Sequence, residues 1–226
     1  MALSFKPNIG ANSHIGQIRD NNEDSWGQYL PPFVLDPTKI SGMLIVSDGM
    51  GGYAAGEVAS QMAVELWTDY ITRLAEHSLT SEQLEHALKH GIQSLHHHIL
   101  ERAEQINKQG MGATLVTALV HNDQLHIVNV GDSPAYLFRQ GELKIIYTTD
   151  NEIERLLQEG QITSEMAAQS NLKNQLSQAL GHNKEVDTHL QSLPVYQNDA
   201  VILCSDGLSA YLTPQEISQI LNNISD

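Results

Sequence analysis

Two successive stretches of the chain repeat apolar residues every three to four positions. Residues 57–75 carry Ala59, Met62, Ala63, Leu66, Tyr70 and Leu74 at helical spacing. Leu84, Leu88, Ile92, Leu95, Ile99, Ala103 and Ile106 then form a second stripe. It opens at "LTSEQ", where Thr80 and Gln83 fit a capping box. Two long amphipathic helices in a row predict an antiparallel pair packed on a flat surface. The pattern then changes period. "ATLVTALV" is rich in β-branched residues, "HNDQ" (121–124) supplies a turn, and "LHIVNVGDS" follows as another strand. "AYLF", the turn "RQGE" and "LKIIY" predict a hairpin. Leu44–Val46 and "DAVILCSDG" read as buried strands. Strands before, helices between and strands after describe segregated elements. The expectation is an α+β fold with a pair of antiparallel sheets, not alternating βαβ units.

From Asp150 to about His189 the chain turns polar. "NEIERLLQEG" predicts a short helix stopped by Gly160, and the Gln- and Asn-rich stretch after it, with few core anchors, suits a mobile flap. "LTPQEI" opens a last helix, with Thr213 as cap, Pro214 first and Glu216 completing a capping box. Repeats, low-complexity tracts and linkers are absent, so residues 1–226 read as one domain with its flap at about 150–189.

The 226 residues include 12 Lys and Arg against 27 Asp and Glu, a formal net charge of -15. That field disfavours nucleic acid and anionic membrane and favours cations, although acidity also serves plain solubility. The single cysteine, Cys204, excludes a disulfide framework and a Cys-based zinc site, and reads as a buried structural thiol. "MALSFKPNIG" lacks the form of a signal peptide, and no apolar run has the length of a membrane span. A soluble cytoplasmic protein is expected. His96–His98 point around a helix and read as a solvated face. Trp26 and Trp67 read as packing residues.

"LIVSDGMGGYAAGEVAS" (44–60) raises the chemical question. Glycines between a strand and a helix often cradle phosphate, yet here a carboxylate opens the turn and would repel one. Similar acidic clusters end other strands: Glu23 and Asp24 beside Arg19 in "RDNNED", Asp132 in "VGDSP" and Asp206 in "CSDGL". Any one Asp-Gly is also an ordinary turn. Two strands of the same form, "LIVSDG" and "ILCSDG", can bring their aspartates together at one edge of a sandwich. Carboxylates gathered there raise one another's pKa unless a cation intervenes. All-oxygen donors select Mg²⁺ or Mn²⁺, and a pair of such ions can activate water against phosphorus.

"RDNNED", "SDGMGG", "GMGATL", "VNVGDSPAYL", "TTDNEIERLLQEGQIT", "LSQALG" and "ILCSDGLSAYLT" stand in the order found in the protein phosphatase 2C family. The chain resembles that family from about Ile9 to Ile217. The resemblance implies a four-layer α-β-β-α sandwich, two antiparallel sheets flanked by helix pairs. It implies that Asp48 bridges two ions, that Gly49 contributes its carbonyl, and that Glu23 and Asp206 each serve one ion. Asp132 matches the ligand of a weaker third ion in bacterial members, and Arg19 matches the residue that grips the phosphate. Asp24 is left as an orderer of the loop. Asp150–His189 covers the family's flap, a candidate for substrate choice.

Four departures from the pattern stand out. Pro134 replaces a usual Arg, Asn151 a common His, and Met50 sits where animal relatives carry a His proposed as general acid. The family also closes with a strand after an Asp-Asn pair whose Asp is a ligand, whereas this sequence ends at "LNNISD" and Asp226 falls too soon after Asp206 for that role. The resulting expectation is a bacterial-type, signalling serine/threonine phosphatase in which a metal-bridging hydroxide attacks phosphoserine or phosphothreonine. Its cofactors would be two Mn²⁺ or Mg²⁺ ions with a weak third. Its partners would be a phosphorylated protein and an opposing Ser/Thr kinase system; it would bind neither nucleic acid nor membrane and be a monomer. The alternative is a weakly active or inactive module that binds phosphoproteins or regulatory partners.

Overall fold

The β-branched runs pair with one another and leave the helices outside. The computed structural model describes residues 7–17, 19–32, 36–52, 55–170, 175–182 and 184–224. Its larger sheet has the order β1 (Asp24–Tyr29), β2 (Ile40–Met50), β4 (Leu115–His121), β5 (Gln124–Val130) and β8 (His189–Pro194). The short β3 (Gly112–Ala113) extends the sheet beside the end of β2. The smaller sheet places β6 (Ala135–Arg139) between β7 (Glu142–Ile145) and β9 (Ala200–Leu203). Every pairing is antiparallel, as the segregated pattern predicts. The two tight hairpins fall where the turn residues lie: Asn122 and Asp123 between β4 and β5, Gln140 and Gly141 between β6 and β7, all at positive φ. That conformation matches the twist of the strands it joins.

The helices α1 (Ala55–Leu74) and α2 (Ser81–Gln105) cover one face of the larger sheet. The capping box at Thr80 and Gln83 is formed. The α2 stripe from Leu84 to Ala103 is buried as predicted. The α1 face is rotated from the expected one: Leu66 is exposed, while Ala59, Ala63, Trp67 and Ile71 are buried. Tyr70 and Trp67 stack, and Tyr70 donates from its hydroxyl to the Ala87 carbonyl at 2.7 Å. Gly91 lets the helices close, since a Cβ there would sit 2.5 Å from the Tyr70 ring. Each fully enclosed side chain such as Ile71, Leu84, Leu88 or Ile99 contributes about 1.5–3 kcal/mol. On β4, Leu115 and Leu119 face the helices while Val116, Ala118 and Val120 face the smaller sheet, so the whole strand is buried.

The polar segment holds more structure than its composition suggests. Asn151 caps α3 (Glu152–Gln158), Gly160 follows at φ +68, and Thr163 caps an unanticipated α4 (Ser164–Gln169). Ala179, Leu180 and Val186 then return to the core, and Leu180 bridges Ala113. This return corrects the reading of the histidines. His97 and His98 are exposed, but His96 is buried, its Nδ1 accepting from the Gly181 amide at 3.1 Å. Trp67 packs as expected, whereas Trp26 is 44 % exposed because the three-stranded sheet is too narrow to cover all of β1. The chain continues into α5 (Asp206–Ser209) and α6 (Pro214–Ile224), whose Thr213–Glu216 box is formed and whose Ser218 and Asn222 reach the Gly141 carbonyl beside β7. Asp226 lies outside the described residues. No described helix is long and apolar enough to cross a membrane.

Candidate active site

Asp48 is the middle of the site, and it lies on a strand. β2 runs past the expected turn, pairing Asp48 with Asp24 and Gly49 with Ala113. The chain reverses only at Gly51 and Gly52, which have positive φ. A hydroxyl network holds this extension. The Asp48 amide donates to Thr114 Oγ1 at 2.9 Å, and Ser47 Oγ donates to the Thr114 carbonyl at 2.6 Å. Thr114 Oγ1 in turn meets Ser133 Oγ at 2.6 Å, which ties the Asp48 strand to the turn carrying Asp132.

Four aspartates act on one another here. Burial, the charges of Asp24 and Asp206, a hydrogen bond with Asp206 and the charge of Asp132 push the Asp48 carboxyl up to about 8. Burial and the charges of Asp206 and Asp150 raise Asp132 to about 6. Asp24 opens β1 of the larger sheet and Asp206 opens α5 just after β9 of the smaller one, and Ser205 Oγ donates to Asp24 Oδ2 at 2.7 Å. Of the charges that raise Asp48, that of Asp24 is the largest. Cys204, half-buried next to this turn, has its thiol pushed up to about 12 by burial and the charges of Asp206 and Asp24, which keeps it protonated and inert.

Glu23, which immediately precedes β1, reaches toward Gly56 at the start of α1. Its carboxylate accepts from Arg19 Nη1, and its backbone carbonyl accepts from the Gly49 amide at 3.0 Å. Gly49 and Gly56 make the approach possible. A Cβ on Gly49 would collide with the Gly56 carbonyl, and one on Gly56 would lie 2.6 Å from Glu23 Oε1. Arg19 is exposed, its side chain 65 % accessible although it pairs with Glu23. Met50 flanks Gly112, as does the Cβ of His182.

The donors fit hard divalent ions. They are all oxygens, and a carboxyl held protonated up to about 8 by its neighbours marks a place where added positive charge is favourable. Asp24, Asp48, Asp132 and Asp206 supply the charge, and Glu23 is tied to the same strand end through its carbonyl and the Gly49 amide. Among the described residues, no three His, Cys, Asp or Glu side chains stand close enough together to cage one ion. The site lies at the edge of the larger sheet where β1 begins and β2 ends. A polar cleft of about 410 Å³, lined in part by Lys89, Asn129, Thr148 and His189, lies beside β8, and none of the four aspartates lines it.

Sequence reasoning missed Thr114, Ser133, Ser205 and the pair Asp150–His189. The first three sit inside quoted motifs as small hydroxyl residues whose partners are far off in sequence. His189 carries no local signal at all.

A solved S. agalactiae serine/threonine phosphatase is similar in structure to this chain. It aligns with a TM-score of 0.79 and 29% identity over 92% of this chain and 83% of that one. The serine/threonine phosphatase stp of Listeria monocytogenes is 36% identical over 209 residues, 92% of this chain and 80% of the relative. The protein phosphatase PhpP of Streptococcus pneumoniae is 30% identical over 213 residues, 92% and 82% of the two. The model of the protein phosphatase 2C family matches residues 13–225. The chain belongs to that metal-dependent family and is a serine/threonine phosphatase of the bacterial type.

Proposed function

We propose that the chain removes phosphate from phosphoserine and phosphothreonine in proteins, with Asp48 at the centre of a site for two Mn²⁺ or Mg²⁺ ions. The observation that carries this is the convergence of Asp24, Asp132 and Asp206 on Asp48, which alone would leave an unfavourable concentration of negative charge. Ions bound there would lower the pKa of a water that attacks phosphorus and would offset the charge of the phosphate. Asp48 and Asp206 would hold them, with the Gly49 carbonyl and Glu23 on one side and Asp132 at a weaker third position. Arg19 would turn from Glu23 to the phosphate oxygens, for which its planar fork suits bidentate contact. Phosphoryl transfer asks mainly for positioning and charge neutralisation, which the two cations and Arg19 would supply.

A second reading, a weakly active module that binds phosphoproteins, is favoured by the absence of a ready-made cage among the described residues. One experiment separates the two. Hydrolysis of p-nitrophenyl phosphate and of phosphoserine and phosphothreonine peptides is measured over a Mn²⁺ series, beside Asp48→Asn. Manganese-dependent turnover lost by orders of magnitude in Asp48→Asn supports the enzyme. Phosphopeptide binding without turnover at any Mn²⁺ concentration supports the module.

A further inference from the structure

We propose that Asp150 is a positioning residue for Asp132, clamping the Gly131–Asp132 turn while His189 holds the clamp in place. This rests on the reading of Asp132 as a metal ligand. Asp150 is only 7% exposed. The Gly131 amide donates to its Oδ2 at 2.7 Å, and the Asp150 amide donates back to the Gly131 carbonyl at 3.1 Å. Gly131 is thus gripped from both its polar groups by one residue.

The grip is needed because the turn is unusual. Gly131 has φ +97, and a Cβ there would lie 2.8 Å from Thr114 Cγ2, the residue whose hydroxyl binds the Asp48 amide. A glycine in this conformation has wide freedom once released. The neighbouring strand is held as well. Asn129 Nδ2 donates to the Thr148 carbonyl at 2.5 Å, and its Oδ1 accepts from the Thr148 amide at 3.3 Å.

His189, the first residue of β8, places Nε2 2.7 Å from the other Asp150 oxygen, Oδ1. The clamp therefore reaches from the edge strand of the large sheet, through one buried carboxylate, to the turn that presents Asp132. A buried carboxylate is costly unless both its oxygens are engaged, and here they are. Partners behind a ligand orient it and tune its basicity, and their removal commonly weakens metal binding 10–100-fold. Asp150 also brings a second negative charge close to Asp132, which favours a cation at that turn. Its own carbonyl accepts from the Ser177 amide at 2.7 Å, so the segment that begins at Asp150 is anchored to the same point.

The test measures Mn²⁺ binding by the electron paramagnetic resonance signal of free ion, which needs no turnover. It also measures amide hydrogen exchange across residues 129–133. The full chain is compared with Asp150→Ala, Asp150→Asn, His189→Ala, His189→Gln and Asp132→Ala. Asp150→Ala is expected to weaken the loosest Mn²⁺ step tenfold or more, leave the tighter steps unchanged and speed exchange at Gly131. His189→Ala should move both readouts less in the same direction, and His189→Gln, which keeps a donor, should restore them. A folded Asp150→Ala with the Mn²⁺ affinities and Gly131 exchange of the parent chain overturns the proposal. Should that variant not fold, unchanged binding and exchange in both Asp150→Asn and His189→Ala overturn it equally. If Asp132→Ala leaves Mn²⁺ binding intact, the ligand reading of Asp132 has failed, and the clamp then stands or falls on the exchange at Gly131 alone.

Discussion

Ser205 and Asp24 are 181 positions apart in sequence, and the hydroxyl of one donates to the carboxylate of the other at 2.7 Å. Ser205 stands at the N-cap of α5, yet its side chain makes no capping bond. The hydroxyl is spent instead on joining the acidic ends of two sheets. Ser205→Ala should cost about 1 kcal/mol, the net value of such a bond, and a few-fold in apparent Mn²⁺ affinity. Melting curves with and without Mn²⁺ check this. A shift of the same size in both would show a purely structural bond.

The pH dependence of stability carries the signature of the aspartates. The Asp48 carboxyl is raised from 3.8 to about 8, so the folded chain binds this proton more tightly than the unfolded chain. Its contribution is full below pH 4 and is lost as pH rises toward 8. His189, raised by its hydrogen bond to Asp150, acts with the same sign from about neutrality upward. His126 acts oppositely: burial and His121 lower it to about 4, so its contribution is lost as pH falls from 6.5 to 4. Without metal, the melting temperature should fall between pH 6.5 and 8.5. Saturating Mn²⁺ should cancel much of that fall and add about 2.7 kcal/mol at a hundredfold excess over the dissociation constant. Asp48→Asn should flatten the metal-free profile and abolish the response to Mn²⁺.

Gly49→Ala tests the packing behind the site. Its Cβ would collide with the Gly56 carbonyl, a backbone atom at the start of α1 that cannot step aside. The substitution should destabilise the chain by about 1–3 kcal/mol, as overpacking does, and lower activity by displacing Asp48. Melting and Mn²⁺-dependent hydrolysis measured on the same preparation would show both losses together.

Thr80→Ala is the matching test far from the chemistry. It removes the side-chain half of the capping box of α2. About 1 kcal/mol should be lost, or roughly 2–4 °C in melting temperature for a domain of this size. Turnover per folded molecule should not change.

The helices and hairpins were legible because their signals are local. Thr80 and Gln83, Thr213 and Glu216, and Asn122–Asp123 each act within a few residues, and each does what its spacing predicts. β8 was not legible. "HLQSLP" carries little β propensity, and it is a strand because β5 offers it partners far earlier in the chain, from Asn129 opposite His189 to Gln124 opposite Pro194. The same holds at the site. Asp48 and Asp206 announce themselves by their strand-end motifs, but the length of β2 depends on Thr114, Ser133 and β3, which only the folded sheet brings together. His96 was misread for the same reason. His97 and His98, which follow it on α2, are exposed, and its Nδ1 finds its partner in the distant Gly181.

The narrowness of the smaller sheet has an optical consequence. It leaves Trp26 44 % exposed on β1, two residues from Asp24, while Trp67 is 1% exposed between the helices and the large sheet. The chain therefore holds two fluorophores in opposite surroundings, one emitting toward the red from a wet surface and one toward the blue from a dry interior. Iodide should extinguish the first and spare the second. Mn²⁺, a paramagnetic quencher, should dim the red component as the acidic edge fills, reporting occupancy of the site without any substrate present.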